Sequence, residues 1–314
     1  MPRTTGRPVH RATPRRSPRP SPTPATPETR SARRRTPARL APAALAGQRG
    51  DAREGLAWLG RAPEARASVL YRAVRLLARV ILFGVFRFRV DVSGRERIPA
   101  KGGYLVVAAA HRGWMDPFVV MQALPPAPRC WFLGSAPSTF TSPLREAVVR
   151  RLGGLLPVWR GGVGIEQHVA SAQAVLASGA VFVQMPEGTV NGSAGRIAPF
   201  RIGAAVIALR TGAPILPIAI AGTEELYLGK RMAASIRVAT TALELLGPDA
   251  PHGAFAAGSR AELELARTVT ARLEAILGPV VEALQPATVD PPDHPRRLRR
   301  RLTWLLLRPG PLER

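Results

Sequence analysis

Cysteine and acidic residues are scarce in this sequence. Cys130 is the only cysteine among the 314 residues, which excludes an intrachain disulfide and a metal cluster built from cysteines. Aspartate and glutamate total 21 against 45 lysines and arginines, so the formal net charge is +24. Such an excess of positive charge points to a polyanionic partner, which would be nucleic acid, an anionic membrane or a phosphorylated substrate.

Long apolar runs are also missing. No stretch of about 18 apolar residues occurs, so no ordinary transmembrane helix is expected. The basic N-terminus is not followed by the apolar segment of a secretory signal peptide. Hydrophobic residues nevertheless make up 46% of the chain, enough for the core of one sizeable α/β domain with tails.

Two terminal segments differ in composition from the domain that we expect over residues 61–288. Residues 1–60 are rich in arginine and proline and have no hydrophobic period, so we expect a disordered tail. It is either an electrostatic tether or an inert extension. In the basic C-terminal segment, 289–314, arginines precede a cluster of tryptophan and leucines. That segment is either an interfacial anchor or a helix docked on the core.

The segment 69–89 has the pattern of an amphipathic helix. Its arginines recur at i, i+3 and i+7 and its apolar residues lie on another face: Arg72, Arg75 and Arg79, and Leu70, Val74, Leu77 and Ile81. Arg79 interrupts the apolar residues, which favours a helix in a membrane interface over one that crosses the bilayer. The alternative is a helix packed on the domain.

Apolar strands and helices alternate through the middle of the chain. The predicted strands are Tyr104–Ala110, Cys130–Gly134, Leu155–Trp159, Val181–Met185 and Ile215–Ala221. The predicted helices are Pro117–Ala123, Pro143–Leu152, Ile165–Ala177 and Phe200–Thr211. The alternation predicts an α/β fold with a mostly parallel or mixed sheet flanked by helices. We also expect an edge strand at 235–243 and a long helix at 259–284 that Pro279 interrupts.

A histidine and an aspartate follow the first of these strands. The apolar run ends directly at His111, and four residues separate His111 from Asp116, which precedes the helix-starting Pro117. Open α/β sheets hold their sites at the carboxyl ends of strands. A histidine titrates near neutral pH, so His111 is a candidate general base with Asp116 as its orienting carboxylate.

A second strand ends in a similar polar turn. The run "VFVQM" leads into Pro186, Glu187, Gly188 and Thr189. Gly188 would let a ligand approach the backbone closely, and the Glu187 and Thr189 side chains would bond to hydroxyl or phosphate oxygens.

Four blocks in this order resemble the glycerolipid acyltransferase family, the PlsC-like lysophosphatidate acyltransferase group. They are "HRGWMDP", the segment that ends in "LGGLLPVWRG", "VFVQMPEGT", and "ILPIAI" with its Pro217. The resemblance extends over about residues 70–245. Two basic residues usual in the family are absent, a lysine near Ser135 and an arginine at the position of Val190.

The resemblance implies an O-acyltransferase that moves a fatty acyl chain from acyl-CoA or acyl carrier protein to a lyso-lipid hydroxyl. The implied acceptor is 1-acyl-glycerol-3-phosphate, in phospholipid biosynthesis. His111 and Asp116 would be catalytic, and Arg160, Glu187, Gly188 and Thr189 would bind substrate. No bound cofactor and no metal are implied. The expected location is peripheral, on the anionic cytoplasmic face of the cell membrane. Because Val190 replaces an arginine, a lyso-lipid without a phosphate, such as an aminolipid or glycolipid, stays an alternative acceptor.

Two other functions compete with this interpretation. The charge of +24 is also typical of nucleic-acid-binding proteins. However, the charge concentrates in the tails, and the central segment has no recognisable nucleic-acid-binding motif. A catalytically inactive lipid-binding relative is disfavoured because His111 and Asp116 are both present.

Overall fold

The computed structural model describes residues 59–135, 143–158, 165–190, 195–224, 226–248 and 256–288. The predictions for the basic C-terminal segment, for Arg160 and for all but the end of the N-terminal tail lie outside these residues. Among the helices of the described ranges, none is both long and apolar enough to cross a bilayer.

The strands of the described residues form one seven-stranded sheet in the order β1-β7-β6-β2-β5-β3-β4. Their bounds are β1 Arg89–Ser93, β2 Leu105–Ala109, β3 Cys130–Ser135, β4 Leu155–Val158, β5 Val181–Gln184, β6 Ile215–Ala221 and β7 Arg231–Ile236. Strands β2 to β6 are mutually parallel. Strand β7 is antiparallel to β6, and β1 is parallel to β7. The prediction of a mostly parallel or mixed sheet is confirmed.

Helices cover the sheet and fill the connections. Their bounds are α1 Val69–Arg79, α2 Asp116–Ala123, α3 Pro143–Leu152, α4 Ile165–Ala177, α5 Gly203–Thr211, α6 Ala242–Leu246 and α7 Arg260–Thr288. Strands β2 and β6 are buried along their whole length because both faces of the sheet are covered. Alternate residues of β2 enter two separate apolar clusters: Leu105 and Val107 face α4, α5 and α7, whereas Val106 and Ala108 face α2.

The end of the predicted helix 69–89 differs from expectation. Regular α-helix ends at Arg79, and a single π-helical turn follows over Val80–Val85. Arg87 then takes a φ of 55°, the left-handed region, which redirects the chain into β1 at Arg89. The helical period continued through this turn in the sequence, so β1 was missed.

The predicted edge strand at 235–243 is wrong. The strand there is β7, Arg231–Ile236, and it lies between β1 and β6 inside the sheet. The chain then enters α6 because Thr241 and Glu244 form a capping box. The Thr241 hydroxyl accepts from the Glu244 main chain, and the Glu244 carboxylate accepts from the Thr241 main chain.

The predicted interruption at Pro279 is also wrong, since α7 runs unbroken from Arg260 to Thr288. A proline removes one helical hydrogen bond and crowds the preceding turn. The buried residues Leu273, Leu277 and Val281 hold both sides of Pro279 against the core. Tertiary packing therefore outweighs the local preference.

Candidate active site

The loop between β2 and α2 carries the predicted His111 and Asp116. Strand β2 ends at Ala109, His111 follows in the loop, and Asp116 is the first residue of α2 with Pro117 behind it. The neighbours of β2 are β5 and β6, both parallel to it. The loops that follow these three strands therefore meet at one edge of the sheet.

The structure brings the two side chains into contact. The distance from His111 Nδ1 to Asp116 Oδ2 is 2.6 Å. Asp116 Oδ2 also accepts the main-chain N–H groups of Arg112, at 2.6 Å, and Gly113, at 2.8 Å. An ionised carboxylate can only accept hydrogen bonds, so Nδ1 is the donor and Nε2 is left as the basic nitrogen of the ring.

Burial differs sharply between the two partners. The Asp116 side chain is 0% exposed and the His111 side chain is 22% exposed. The carboxylate is thus held inside the protein by main-chain donors, while the imidazole reaches the surface. This arrangement fixes the ring orientation and lets a substrate approach the ring.

Glu187 connects the loop after β5 to the histidine. Its Oε1 accepts the main-chain N–H of His111 at 2.8 Å, and its Oε2 accepts that of Ala198 at 3.1 Å. The residue is 3% exposed. Sequence analysis assigned Glu187 to substrate binding, but the structure turns both carboxylate oxygens towards the main chain. Glu187 therefore positions His111.

Gly188 and Thr189 follow at the surface and are both exposed. Gly188 has a φ of +69°, and a Cβ added there would lie 2.7 Å from Arg201 Nε. The Arg201 side chain therefore packs directly on the turn, and its main-chain N–H donates to Pro186 O at 2.8 Å. The positively charged Arg201 side chain thus lies beside the Glu-Gly-Thr turn. Val190, which follows the turn, is uncharged and 55% exposed.

Arg112 is a site residue that sequence analysis did not single out. It is 4% exposed, and its Nη2 donates to the Arg196 carbonyl at 2.5 Å. This contact ties the loop after β2 to the segment after the Glu-Gly-Thr turn. The available signal was its position: Arg112 lies in the short loop between a buried strand and a helix, where it has no exposed helix face to occupy.

The described residues of the site offer no evident set of metal ligands. Among the described residues, no group of three or more histidine, cysteine, aspartate or glutamate side chains could hold a metal ion. The polar groups of the site are arranged instead around one imidazole.

Two mycobacterial proteins are similar to part of this chain. Uncharacterized proteins of Mycobacterium tuberculosis and Mycobacterium bovis are each 35% identical over 152 residues, which is 45% of this chain and 39% of theirs. The chain thus matches about two fifths of the length of these relatives.

One similar solved structure is a 1-acyl-sn-glycerophosphate (LPA) acyltransferase, PlsC, from Thermotoga maritima. It aligns with a TM-score of 0.48 and 19% identity, covering 68% of this chain and 79% of that one.

A family model described as Acyltransferase matches residues 89–221. This range begins at β1, ends with β6, and contains His111, Asp116 and the Glu-Gly-Thr turn. It includes the four blocks on which the sequence resemblance rested. Residues 89–221 of this chain are therefore similar to the acyltransferase family.

Proposed function

We propose that this protein is an O-acyltransferase that moves a fatty acyl chain from acyl-CoA or acyl carrier protein to the hydroxyl of a lyso-lipid. The observation that carries the proposal is the 2.6 Å contact between His111 and the fully buried Asp116, inside the segment that matches the acyltransferase family. The contact leaves a basic nitrogen at the carboxyl edge of the sheet.

The chemistry requires one base and no enzyme nucleophile, because a thioester is already activated. His111 Nε2 takes the proton of the acceptor hydroxyl as its oxygen attacks the thioester carbonyl carbon. The buried Asp116 carboxylate stabilises the imidazolium that forms. When the tetrahedral intermediate collapses, the carbon–sulfur bond breaks and the imidazolium returns its proton to the thiolate. General-base catalysis of this kind contributes about 10²–10⁴-fold in rate.

The acceptor that we propose is 1-acyl-glycerol-3-phosphate. Arg201 supports this choice because its guanidinium lies against Gly188 at the exposed turn. It can supply there the positive charge that Val190 does not. Arg160 is a second candidate for the phosphate and lies outside the described residues.

Attachment to the membrane through α1 completes the proposal, as a peripheral protein of the cytoplasmic face. The helix and the π-helical turn after it expose a continuous set of apolar side chains, here named the apolar face of α1. Its members and their exposures are Val69 74%, Leu70 43%, Val74 38%, Leu76 62%, Leu77 57%, Val80 53%, Ile81 39% and Val85 65%. A helix packed on the domain would bury such side chains, whereas an interfacial helix places them in lipid.

The function is tested by incubating the purified protein with labelled acyl-CoA or labelled acyl carrier protein and a panel of lyso-lipids, with the folded His111→Ala variant as control. Transfer to 1-acyl-glycerol-3-phosphate that the variant loses is the expected result. The absence of transfer to every lyso-lipid, from acyl-CoA and from acyl carrier protein, would refute the proposed activity.

The acceptor is tested separately with Arg201→Gln. A charge-assisted hydrogen bond contributes about 1.5–3 kcal/mol, so the KM for 1-acyl-glycerol-3-phosphate should rise roughly tenfold to a hundredfold. The KM for a phosphate-free lyso-lipid should not change. Equal changes in KM for both acceptors would show that Arg201 does not bind the phosphate.

A further inference from the structure

A groove lies between α1 and α2, beside the apolar face of α1. Its volume is about 220 Å³. The side chains that line it are arginines and apolar or amide residues, without a single acid: Arg75, Ala78, Arg79, Phe83, Arg95, Phe118, Met121, Gln122, Leu124, Pro125 and Pro126. The groove is smaller than the roughly 300–1,000 Å³ of sites for drug-sized ligands, so it suits the headgroup end of a larger molecule.

The three arginines of the groove have different tasks. Arg75 is committed to the protein, because its guanidinium donates to main-chain carbonyl oxygens at the end of α2: Met121 at 2.5 Å, Leu124 at 3.1 Å and Pro125 at 3.3 Å. It shares a helical stripe with Arg72 and Arg79, which are both exposed, but its own side chain turns inward towards α2.

Arg79 and Arg95 carry the charge of the groove. Both residues are exposed, and they approach the groove from different elements, α1 and the 3-10 turn Arg95–Arg97. Arg95 Nη2 donates to the Gln122 carbonyl at 3.0 Å, which holds the side chain along α2 while the guanidinium has further donors to offer. Glu96, the neighbouring acid, contacts Arg97 at 3.4 Å.

The surroundings of the groove indicate which anion it takes. Its apolar lining includes Phe83 and Phe118, which a free inorganic anion would not use. One flank is the stretch of α1 whose apolar face is exposed, with Leu76 at 62% and Val80 at 53%. Arginines beside a membrane-inserted helix face lie at the depth of the lipid headgroups.

We propose that this groove binds the headgroup of one anionic phospholipid. The Arg79 and Arg95 guanidinium groups donate to its phosphate oxygens, and Phe83 and Phe118 contact the glycerol and the first methylene groups of its chains. The lipid is a structural partner that seats α1 on the membrane, and it is separate from the acceptor at His111. This inference rests on the proposed membrane attachment of α1 and not on acyl transfer.

The test compares two double variants of the full chain that each lose two positive charges. Arg79→Gln with Arg95→Gln removes the groove cations, and Arg66→Gln with Arg72→Gln removes two exposed arginines outside the groove lining. Sedimentation measures binding to vesicles of phosphatidylglycerol and phosphatidylcholine, or of phosphatidylcholine alone, at low salt and at about 0.5 M salt, where surface attraction is largely screened.

At low salt both double variants should bind the anionic vesicles less tightly than the wild type. At high salt the control variant should match the wild type, while the groove variant should remain roughly tenfold weaker, since enclosed contacts are screened less. If the two double variants lost the same amount of vesicle binding at both salt concentrations, the proposed lipid site in the groove would be overturned. If the wild type bound neither kind of vesicle, the membrane attachment itself would be overturned, and the groove proposal with it.

Calorimetry with monomeric dihexanoyl phosphatidylglycerol separates a lipid from a free anion. Binding to the wild type, loss in the groove variant and no displacement by inorganic phosphate at comparable concentration are expected; equal displacement would overturn the lipid assignment. The groove variant should also keep its KM for detergent-dispersed 1-acyl-glycerol-3-phosphate. A raised KM would place the acceptor in the groove and overturn a separate lipid site.

Discussion

The loop after β2 and the apolar face of α1 both differ from the usual pattern, in which charged side chains are exposed and large apolar side chains are buried. Charged groups are buried at this loop, with Asp116 at 0% exposure and, from the loop after β5, Glu187 at 3%. The helix exposes large apolar side chains, with Leu76 at 62% and Leu77 at 57%. Buried charged groups and exposed apolar patches are uncommon in folded proteins, so each of them needs a specific explanation.

The two departures are stabilised by different means. The buried carboxylates of Asp116 and Glu187 accept main-chain N–H groups, so these partners are part of the fold and remain in place without a ligand. The apolar side chains of α1 have no equivalent cover among the described residues. The two carboxylates are therefore held by groups of this chain, whereas the apolar face of α1 is exposed in the part of the chain that the structure describes.

The largest expected effect comes from His111→Ala. We expect a loss of about 10²–10⁴-fold in turnover, because the basic nitrogen is removed. The fold should persist, since Glu187 bonds to the main-chain N–H of residue 111, which alanine keeps. Steady-state kinetics and circular dichroism check both statements. His168→Ala on α4 is the matched control and should keep its turnover per folded molecule; a His111→Ala variant with more than a tenth of wild-type turnover would contradict the proposed base.

Asp116→Asn should rank second, with a loss of about a hundredfold or more in turnover. The amide can donate to Nδ1, which would place the ring proton on Nε2 and block its role as a base. Binding of the acyl donor should change little. Steady-state kinetics with a titration of the acyl donor measure turnover and donor binding separately. Unchanged turnover would show that the Asp116 carboxylate does not set the tautomer of His111.

Glu262→Gln tests whether burial of a carboxylate is sufficient for a catalytic role. Glu262 is 2% exposed, an exposure similar to that of Glu187. Its partner is a side chain, however: Arg210 donates to the carboxylate through Nε at 2.6 Å and through Nη2 at 2.9 Å. We expect a loss of about 2 kcal/mol in the free energy of unfolding, roughly thirtyfold in the unfolding equilibrium, with turnover unchanged. Denaturant titration and kinetics on the folded variant provide the measurement.

The same pair predicts a dependence of stability on pH. The hydrogen bonds from Arg210 hold the pKa of the Glu262 carboxyl below its usual range. A lowered pKa in the folded state gives stability that is present above the ordinary glutamate pKa of about 4.3 and is lost as the pH falls through the folded value. The stability difference between the wild type and Glu262→Gln should therefore shrink below about pH 4.3. A difference that stays constant down to pH 2 would contradict this account.

The smallest effect is expected on α1. Leu76→Ser with Leu77→Ser should weaken binding to neutral phosphatidylcholine vesicles roughly tenfold, because apolar area no longer enters the lipid. Thermal stability should hold, since both side chains are exposed in the protein. Vesicle sedimentation and a melting curve measure the two quantities. A lower melting temperature with unchanged vesicle binding would mean that the face packs on protein instead.

The sequence predicted elements well where apolar runs end at clear turn residues. The bounds of α3, α4 and β6 agree with the predicted ones, β3 and β5 differ by a residue at one end, and β2 is a residue shorter at each end. The His111 and Asp116 pair was predictable because both flank one short loop, so local spacing brings them together. In the structure His111 Nδ1 lies 2.6 Å from Asp116 Oδ2, as this spacing allows.

Features that depend on distant contacts were not predictable in the same way. The inward turn of Arg75 depends on α2 ending beside it, and the helical stripe contained no sign of that neighbour. The orientation of Glu187 depends on the loop after β2 passing in front of it. Arg201 reaches Gly188 because the chain returns past Pro186, a path that no local pattern encodes.

The clamp of Arg75 on the end of α2 has a consequence for how this sequence can diverge. Two guanidinium nitrogens serve three carbonyl oxygens there, which the single ammonium of a lysine cannot match in geometry. Arg72, exposed on the same helix, has no such demand and can exchange for any long polar residue. Among descendants of this chain, position 75 should therefore stay arginine while position 72 drifts, and a change at 75 should coincide with a reshaped end of α2.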